Sequence, residues 1–348
     1  MSGIPGTGLR LLSFDGGGFR GLSSLHILRE IMQRIRRDEG RNDIEPWQYF
    51  DMIGGTSMGG LIALMLGRLR MPIDAAIEHY VELTQSVLSE TKYGWQDGMF
   101  KATLLERATK RIVQRFSESS DEETRLLDTR PESCKVFVCA MSAVNMRASI
   151  PTHFRTFTAY ENVTSNCKIW EAVRATSADP KFFKRIKIQD IGVQIEYIGG
   201  EIGCNNPTER VLKEADRVFR GAHVACLVSI GTGEGDVIRI PEPGLKENVV
   251  HLETLNTLVQ IAKDCRRTDQ EMAARFQRFK HSDSDPGVYF RFNLDHVPGD
   301  VQNWEELGDI GEYTMQYMRL SDSSHRADAA ASAIRGRRPR VLLSEVAR

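Results

Sequence analysis

The sequence lacks the features that mark a membrane-spanning, zinc-ribbon or nucleic-acid-binding protein. No apolar stretch among its 348 residues approaches the length of about 18 residues that a transmembrane helix needs. The six cysteines form no Cys-x-x-Cys pair, which argues against a zinc ribbon or a thioredoxin-like redox motif. The 46 basic and 47 acidic residues leave a net charge of −1, unlike a broadly basic nucleic-acid binder.

The N-terminus and the cysteines bear on the cellular compartment in which the chain is found. The first residues carry no charged segment followed by a long apolar core, so we expect no secretory signal peptide. Cys139 and Cys226 stand inside apolar runs, where a free thiol behaves as a small core residue. We therefore expect a reducing, cytoplasmic location, with any membrane contact confined to the membrane surface.

Apolar runs of strand length alternate with helical patterns along the chain. Strands are predicted at 9–14, 49–53, 135–141, 193–198 and 224–230. This alternation predicts an α/β fold with a mainly parallel central sheet and helices on both faces. We expect one domain over residues 1–320. We expect residues 321–348 to be a loosely held basic tail, with the arginine cluster at 335–340 solvated.

The string Gly55-Thr56-Ser57-Met58-Gly59 joins an apolar strand to an apolar helix. A sharp strand-to-helix turn of this kind, the nucleophile elbow, exposes a serine hydroxyl at the edge of a sheet. Gly55 and Gly59 are needed because the turn leaves no room for Cβ atoms nearby. The pattern predicts Ser57 as a nucleophile, with the helix N-terminus favouring negative charge there. The alternative is an ordinary glycine turn in which Ser57 caps the helix.

A second string, Asp15-Gly16-Gly17-Gly18-Phe19-Arg20-Gly21, also follows a predicted strand and precedes a helix. The backbone N–H groups of Gly16, Gly17 and Gly18 can converge on an anion. In acyl transfer that anion is the tetrahedral oxyanion, and each donor is typically worth about 3 kcal/mol of barrier. The string therefore predicts an oxyanion hole.

Two neighbours of these glycines have supporting roles, and the string has a competing interpretation. Arg20 anchors the loop through a carboxylate such as Asp15, or orients a phosphate headgroup, and Gly21 supports the turn. The spacing Gly-x-Gly-x-x-Gly also fits a dinucleotide-binding loop. That fold needs an acidic residue about 20 positions later, at the end of a second strand. Here Asp38 and Glu39 close a helix instead, which disfavours nucleotide binding.

These strings, with two further stretches, resemble the patatin-like phospholipase family. The stretch Ala175-Thr176-Ser177-Ala178-Asp179-Pro180-Lys181-Phe182-Phe183 is similar to the family's ATSAAPxFF segment. The stretch Gly200-Glu201-Ile202-Gly203-Cys204-Asn205-Asn206-Pro207 is similar to its DGGLxxNNP segment, in which Asn205 and Asn206 hold the turn. The resemblance covers residues 9–233. It implies lipid acyl hydrolysis by a Ser–Asp dyad, with no metal or other cofactor.

The sequence departs from the family pattern at the dyad acid. Aligning on the Asn-Asn-Pro turn puts the family's aspartate at position 199, where this chain has Gly199. A serine needs a base to attack efficiently, and a base contributes about 10²–10⁴-fold. Glu201, two residues later, is the candidate substitute. Asp190 lies nine residues before Gly199 along a strand, roughly 30 Å away, and is rejected. His296 is the base only if the chain follows the α/β-hydrolase order.

The sequence thus predicts a phospholipase A-like or lysophospholipase-like enzyme that forms an acyl-enzyme on Ser57. The alternative is a patatin-fold pseudoenzyme that binds lipid or serves as an interaction module. The resemblance implies a lipid or phospholipid partner, no nucleic acid, and fusion or association with signalling domains. Gly199 is the residue that separates the two hypotheses.

Overall fold

The computed structural model describes residues 6–92, 98–144, 150–159, 166–190, 192–233, 257–280, 282, 285–295 and 306–348. The strands are β1 (Leu9–Phe14), β2 (Met52–Thr56), β3 (Lys135–Ser142), β4 (Thr152–Arg155), β5 (Ile186–Asp190), β6 (Val193–Gly199), β7 (His223–Ile230), β8 (Tyr289–Phe292) and β9 (Val341–Leu342). The first eight α-helices are α1 (Gly21–Glu39), α2 (Pro46–Tyr49), α3 (Met58–Ala63), α4 (Ile73–Leu88), α5 (Ala102–Phe116), α6 (Ile169–Thr176), α7 (Glu201–Cys204) and α8 (Thr208–Val218).

The later part of the chain adds further helices. These are a segment at 257–262, Arg266–Gln277, Glu306–Arg319, Ser321–Gly336 and Leu343–Val346. A 3-10 turn at Gly18–Arg20 precedes α1, and a π-helical stretch at Leu64–Arg68 continues α3. Across the described ranges, no helix has the length and apolar character to cross a membrane.

The described strands form one sheet in the order β5-β6-β3-β2-β1-β7-β8, with β4 paired to β3 and β9 to β7. The central strands β3, β2, β1, β7 and β8 run parallel, and β4, β5, β6 and β9 are antiparallel to their neighbours. The predicted fold class is therefore confirmed. Because parallel strands end at one edge, the loops after β1, β2 and β7 meet there, the usual place for a site in such sheets.

The register brings the end of β6 to the same edge. Thr56, the last residue of β2, pairs with Cys139 of β3. The next residue of β3, Ala140, pairs with Gly199. The chain following Gly199 therefore emerges beside the residue that follows Thr56, although the two are far apart in sequence.

Two apolar cores cover the two faces of the sheet. In β1, Leu12 and Phe14 pack into one core and Leu9 and Leu11 into the other, as alternation along a strand requires. The first core includes the apolar faces of α1, α3, α4, α5 and α6. The second includes those of α8, Arg266–Gln277 and Leu343–Val346. The expected helices on both faces are present.

The second strand begins later than predicted. Residues 46–49 form the short helix α2, with Pro46 at its first turn, a position that proline favours. The strand β2 then begins at Met52 and continues to Thr56, the residue before the elbow.

The expectation of a loosely held tail from residue 321 is wrong. Ser321–Gly336 is a helix whose Ala327, Ala330, Ala331 and Ile334 are buried, the spacing of one helix face. The strand β9 then adds to β7. Alanine buries little area per residue, so the low hydrophobicity of this segment concealed its packing.

Three of the four arginines at 335–340 form ion pairs, and Arg338 is exposed. Arg335 lies 2.8 Å from Asp38, and Arg337 lies 2.9 Å from Asp51. Arg340 lies 2.5 Å from Asp285. These pairs attach the C-terminal segment to α1 and to the loop before β2.

Candidate active site

Ser57 occupies the turn between β2 and α3. Its φ of 54° and ψ of −128° are rare for a residue with a side chain and cost about 1–3 kcal/mol. A Cβ on Gly55 would collide with the carbonyl of Gly59, and one on Gly59 with the carbonyl of Asp15. The strand, turn and helix expected of a nucleophile elbow are therefore present, and both glycines are required by contact.

Thr176, the last residue of α6, fixes the elbow. Its Oγ1 accepts a hydrogen bond from the Ser57 N–H at 2.8 Å and donates one to the Cys139 carbonyl at 2.6 Å. One buried hydroxyl thus joins the nucleophile turn to the end of β3. The sequence indicated the segment that contains Thr176, but not this role.

The glycine loop lies beside Ser57, and its three N–H groups are not equivalent. The Gly16 N–H donates to the Asn205 carbonyl at 2.9 Å, so Gly16 is not the free oxyanion donor that the sequence predicted. The N–H groups of Gly17 and Gly18 make no hydrogen bond to any residue that the structure describes. The predicted oxyanion hole therefore has two candidate donors in this loop, the N–H groups of Gly17 and Gly18.

Tyr80 and Arg20 support the glycine loop from below. The Tyr80 hydroxyl lies 3.2 Å from the carbonyl of Gly18, and a Cβ on Gly21 would lie 2.6 Å from the same hydroxyl oxygen. Burial raises the pKa of Tyr80 well above its ordinary value, so the phenol stays neutral. Arg20 donates to the Gly17 carbonyl at 3.4 Å, as a loop-anchoring residue would.

The partner of Asp15 is Arg291, from β8, and not Arg20 as the sequence suggested. Their side chains form a buried ion pair at 2.6 Å, and Arg291 also donates to Ser229 Oγ at 2.8 Å. Burial raises the pKa of Asp15, and the charge of Arg291 opposes that rise. The pair holds the residue immediately before the glycine loop.

Glu201, the first residue of α7, lies against both halves of the site. A Cβ placed on Gly16 would lie 2.9 Å from Cγ of Glu201 and 3.3 Å from Cβ of Ser57. The Ser57 hydroxyl approaches Glu201 closely enough to favour its charged form, but short of full hydrogen-bond geometry. Such loose contacts are usual for catalytic pairs before substrate binds.

Two charged groups, Lys263 and Asp179, face the Glu201 carboxylate. Lys263 Nζ lies 3.2 Å from Oε2 of Glu201 and forms a second ion pair with Asp179. Burial and the charge of Asp179 raise the pKa of Glu201 to about 7, while Lys263 and the Ser57 hydroxyl act in the opposite direction. A carboxyl with this pKa can exchange a proton near neutral pH.

Gly199 lies in β6 with its N–H donated to the Ala178 carbonyl at 2.9 Å. A Cβ there would lie 3.0 Å from the backbone nitrogen of Asp179, so a side chain fits only if its neighbours shift. The turn at Asn205 and Asn206 follows in the chain, and the Oδ1 of Asn206 orders it by accepting a hydrogen bond from the Thr208 N–H at 3.0 Å. Asn205 donates to the Lys263 carbonyl at 2.6 Å.

Asp190 and His296 are the other residues considered as bases. Asp190 pairs with Val193 at the opposite end of β6 from Gly199, which agrees with its rejection. His296 lies outside the described residues. Within those residues, no three His, Cys, Asp or Glu side chains are grouped to hold a metal ion.

The chain belongs to the patatin-like phospholipase family, whose model matches residues 12–212. It is 26% identical over 336 residues to calcium-independent phospholipase A2-gamma of Homo sapiens, covering 92% of this chain and 39% of that protein. It is 26% identical over 348 residues to Phospholipase A I of Arabidopsis thaliana, covering 83% and 25%. A third relative, 26% identical over 255 residues with 69% and 64% covered, is named probable inactive patatin-like protein 9, also of Arabidopsis thaliana. The chain thus spans well under half of the first two relatives.

Proposed function

We propose that this chain is a lipid acyl hydrolase of the phospholipase A or lysophospholipase type, with Ser57 as nucleophile and Glu201 as general base. The observation that carries the proposal is the placement of Glu201, which is buried, carries a pKa of about 7 and lies beside Ser57. Glu201 supplies the carboxylate that the family pattern expects at position 199. The phospholipase names of the relatives support a lipid ester as substrate.

The reaction proceeds through an acyl-enzyme. Ser57 Oγ attacks the ester carbonyl and forms the C–O bond while its proton passes to Glu201. The tetrahedral intermediate collapses, the bond to the alcohol oxygen breaks, and Glu201 returns the proton to that oxygen. Water then attacks the acyl-enzyme, giving its proton to Glu201, and the fatty acid leaves as Ser57 recovers the proton.

Backbone N–H groups stabilise the oxyanion. Gly17 and Gly18 supply donors from the loop after β1. Met58 supplies another, since it is the first residue of α3 and its N–H belongs to the first turn of a helix. Loss of one such donor typically costs about 3 kcal/mol of barrier. Met58 is a residue whose backbone role the sequence analysis did not assign.

We propose that the chain acts at a lipid surface. Leu258, Val259 and Ile261 are 55%, 42% and 53% exposed, and they lie two to five positions before Lys263. Exposed apolar side chains beside a site fit contact with a membrane surface. All six cysteines are free thiols, which supports a reducing compartment such as the cytoplasm. Association with signalling domains stays a prediction.

The test is labelling of the chain by a fluorophosphonate probe together with fatty-acid release from a lysophospholipid. Wild type is expected to react in both assays. Ser57→Ala is expected to abolish both, and Glu201→Gln to lower both rates by about 10²-fold. Ser89→Ala, a change at an exposed serine, is the matched control and is expected to keep the wild-type rates.

The second candidate is a catalytically impaired patatin-fold protein that binds lipid. Gly199 and the relative named probable inactive favour it. A folded wild-type chain that neither labels nor releases fatty acid, yet binds lipid vesicles, would replace the first proposal with this one.

A further inference from the structure

A half-buried lysine that no motif indicates joins two buried acids at the site. Lys263 follows the helical segment at 257–262, and its ammonium contacts both Asp179 and Glu201. The side chains of these three residues are 19%, 4% and 4% exposed. A buried charge is tolerated only where it is paired, so each member of this cluster depends on the others.

Lys263 is also held through its backbone. Its carbonyl accepts a hydrogen bond from the Asn205 side chain at 2.6 Å. Asn205 in turn accepts, through its own carbonyl, the N–H of Gly16. The lysine is therefore tied to the same turn that carries Glu201 and to the glycine loop.

Asp179 is fixed in the same manner. Its Oδ1 accepts from the Lys181 N–H at 2.9 Å, which leaves Oδ2 for Lys263. Its backbone nitrogen faces Gly199, where the family pattern has the dyad aspartate. Asp179 itself stands where that pattern has alanine, so the departures at Asp179, Gly199 and Glu201 are neighbours in space.

We propose that Lys263 and Asp179 are positioning residues for Glu201: Asp179 holds the Lys263 ammonium, and Lys263 favours the charged form of Glu201 and orients its carboxylate toward Ser57. This inference rests on the proposed function of Glu201 as the base. With Asp179 and Glu201 both ionised, one cation faces two anions. Removing Lys263 therefore raises the proton affinity of Glu201, and removing the charge of Asp179 lowers it.

Other charged groups near the base have different partners. Asp15, one residue before Gly16, is paired with Arg291. Cys204, at the end of α7, interacts with Cys139 and Arg210. Lys263 and Asp179 are the leading charges acting on Glu201, and the Ser57 hydroxyl is its leading neutral partner.

The experiment measures the pH dependence of fluorophosphonate labelling and of ester kcat/KM in Lys263→Met, Lys263→Arg and Asp179→Asn. The acid limb of wild type, near pH 7, is expected to move up by about one to two pH units in Lys263→Met and down by a similar amount in Asp179→Asn. Lys263→Arg is expected to restore most of the wild-type limb. Lys213→Met removes one surface charge, paired with Glu209 at 2.9 Å, and is expected to leave the limb in place.

Opposite shifts support the inference, because a merely structural role would lower activity at every pH alike. An unmoved limb in both folded Lys263→Met and Asp179→Asn would overturn it while leaving the proposed function intact. If Lys263→Met does not fold, Lys263→Arg and Asp179→Asn still decide the matter through the same limb. Wild-type rates in Glu201→Gln would instead overturn the proposed function, and this inference with it.

Discussion

The backbone N–H of Ser57 is hydrogen-bonded to the side chain of Thr176, 119 residues further along the chain. The bond holds Ser57 at a positive φ, a backbone conformation that residues with side chains rarely adopt. Thr176 also donates to the Cys139 carbonyl, so it satisfies two buried backbone groups at once.

Replacing Thr176 by valine keeps the volume and removes both hydrogen bonds. Two buried polar groups are then left unsatisfied, at about 1–3 kcal/mol each. We expect Thr176→Val to lower the thermal midpoint and to reduce the rate of fluorophosphonate labelling at Ser57. Thr109→Val is the matched control, because Thr109 is equally buried and its hydroxyl donates to the Leu105 carbonyl within α5. A labelling rate as high as that of the Thr109 variant would contradict the role given to Thr176.

Glu201 is expected to make stability depend on pH. The folded chain keeps the Glu201 proton up to about pH 7, whereas the unfolded chain releases it near 4.5. The free energy of unfolding therefore falls as the pH rises between these values. Glutamine is neutral at every pH, so Glu201→Gln is expected to be more stable than wild type at pH 8. At pH 5 its stability relative to wild type is expected to be lower than at pH 8.

The measurement is the difference in unfolding free energy between variant and wild type at the two pH values. Glu209→Gln is the control with the opposite sign. Burial raises the pKa of Glu209, but the hydrogen bond from Lys213 outweighs burial and lowers it. The charged form of Glu209 therefore stabilises the fold at pH 8, and Glu209→Gln is expected to lose that stability. A Glu201→Gln difference that is the same at both pH values would show that its pKa is not raised.

Arg291 is expected to be required for folding near the glycine loop. Arg291→Met leaves the Asp15 carboxylate buried without its cation, which typically costs about 3–5 kcal/mol. The double variant Arg291→Met/Asp15→Asn removes the stranded charge and is expected to recover part of that loss. Chemical denaturation of the two variants measures both effects. Equal free energies of unfolding for the single and double variants would mean that the buried Asp15 carboxylate does not need Arg291 as its counter-ion.

The exposed apolar side chains before Lys263 are expected to contact lipid. Ile261→Glu is expected to weaken cosedimentation with phospholipid vesicles and to lower the rate on vesicle substrate, with the rate on a soluble p-nitrophenyl ester unchanged. Met315→Glu, at a side chain 51% exposed on the helix Glu306–Arg319, is the matched control. Equal vesicle binding by the two variants would remove this surface from the proposal.

The parts of the site that are local in sequence could be predicted. Ser57 and the loop at Gly17 and Gly18 each lie in one short string between a strand and a helix, and that context specifies their geometry. Glu201 could be named because it lies two residues from Gly199. Its pKa could not, because burial and the nearby charge of Asp179 depend on the tertiary fold.

The residues that complete the site carry no such local signal. Lys263 lies 84 residues from Asp179, and Arg291 lies 276 residues from Asp15. One basic residue among 46 is not distinguished by its neighbours in sequence. The helix Ser321–Gly336 did carry a signal, since Ala327, Ala330, Ala331 and Ile334 share one helical face, but small side chains make such a face easy to overlook.

The ion pair between Asp15 and Arg291 also has a consequence for the order in which the protein becomes competent during its synthesis. A chain emerges from the ribosome N-terminus first, so Ser57 and the glycine loop are made long before Arg291. Until β8 has been synthesised, the Asp15 carboxylate has no cation beside it, and until Lys263 has been synthesised, Glu201 has none either. A nascent chain is therefore expected to carry Ser57 in an unreactive state until Lys263 and Arg291 have been synthesised and have packed against the site.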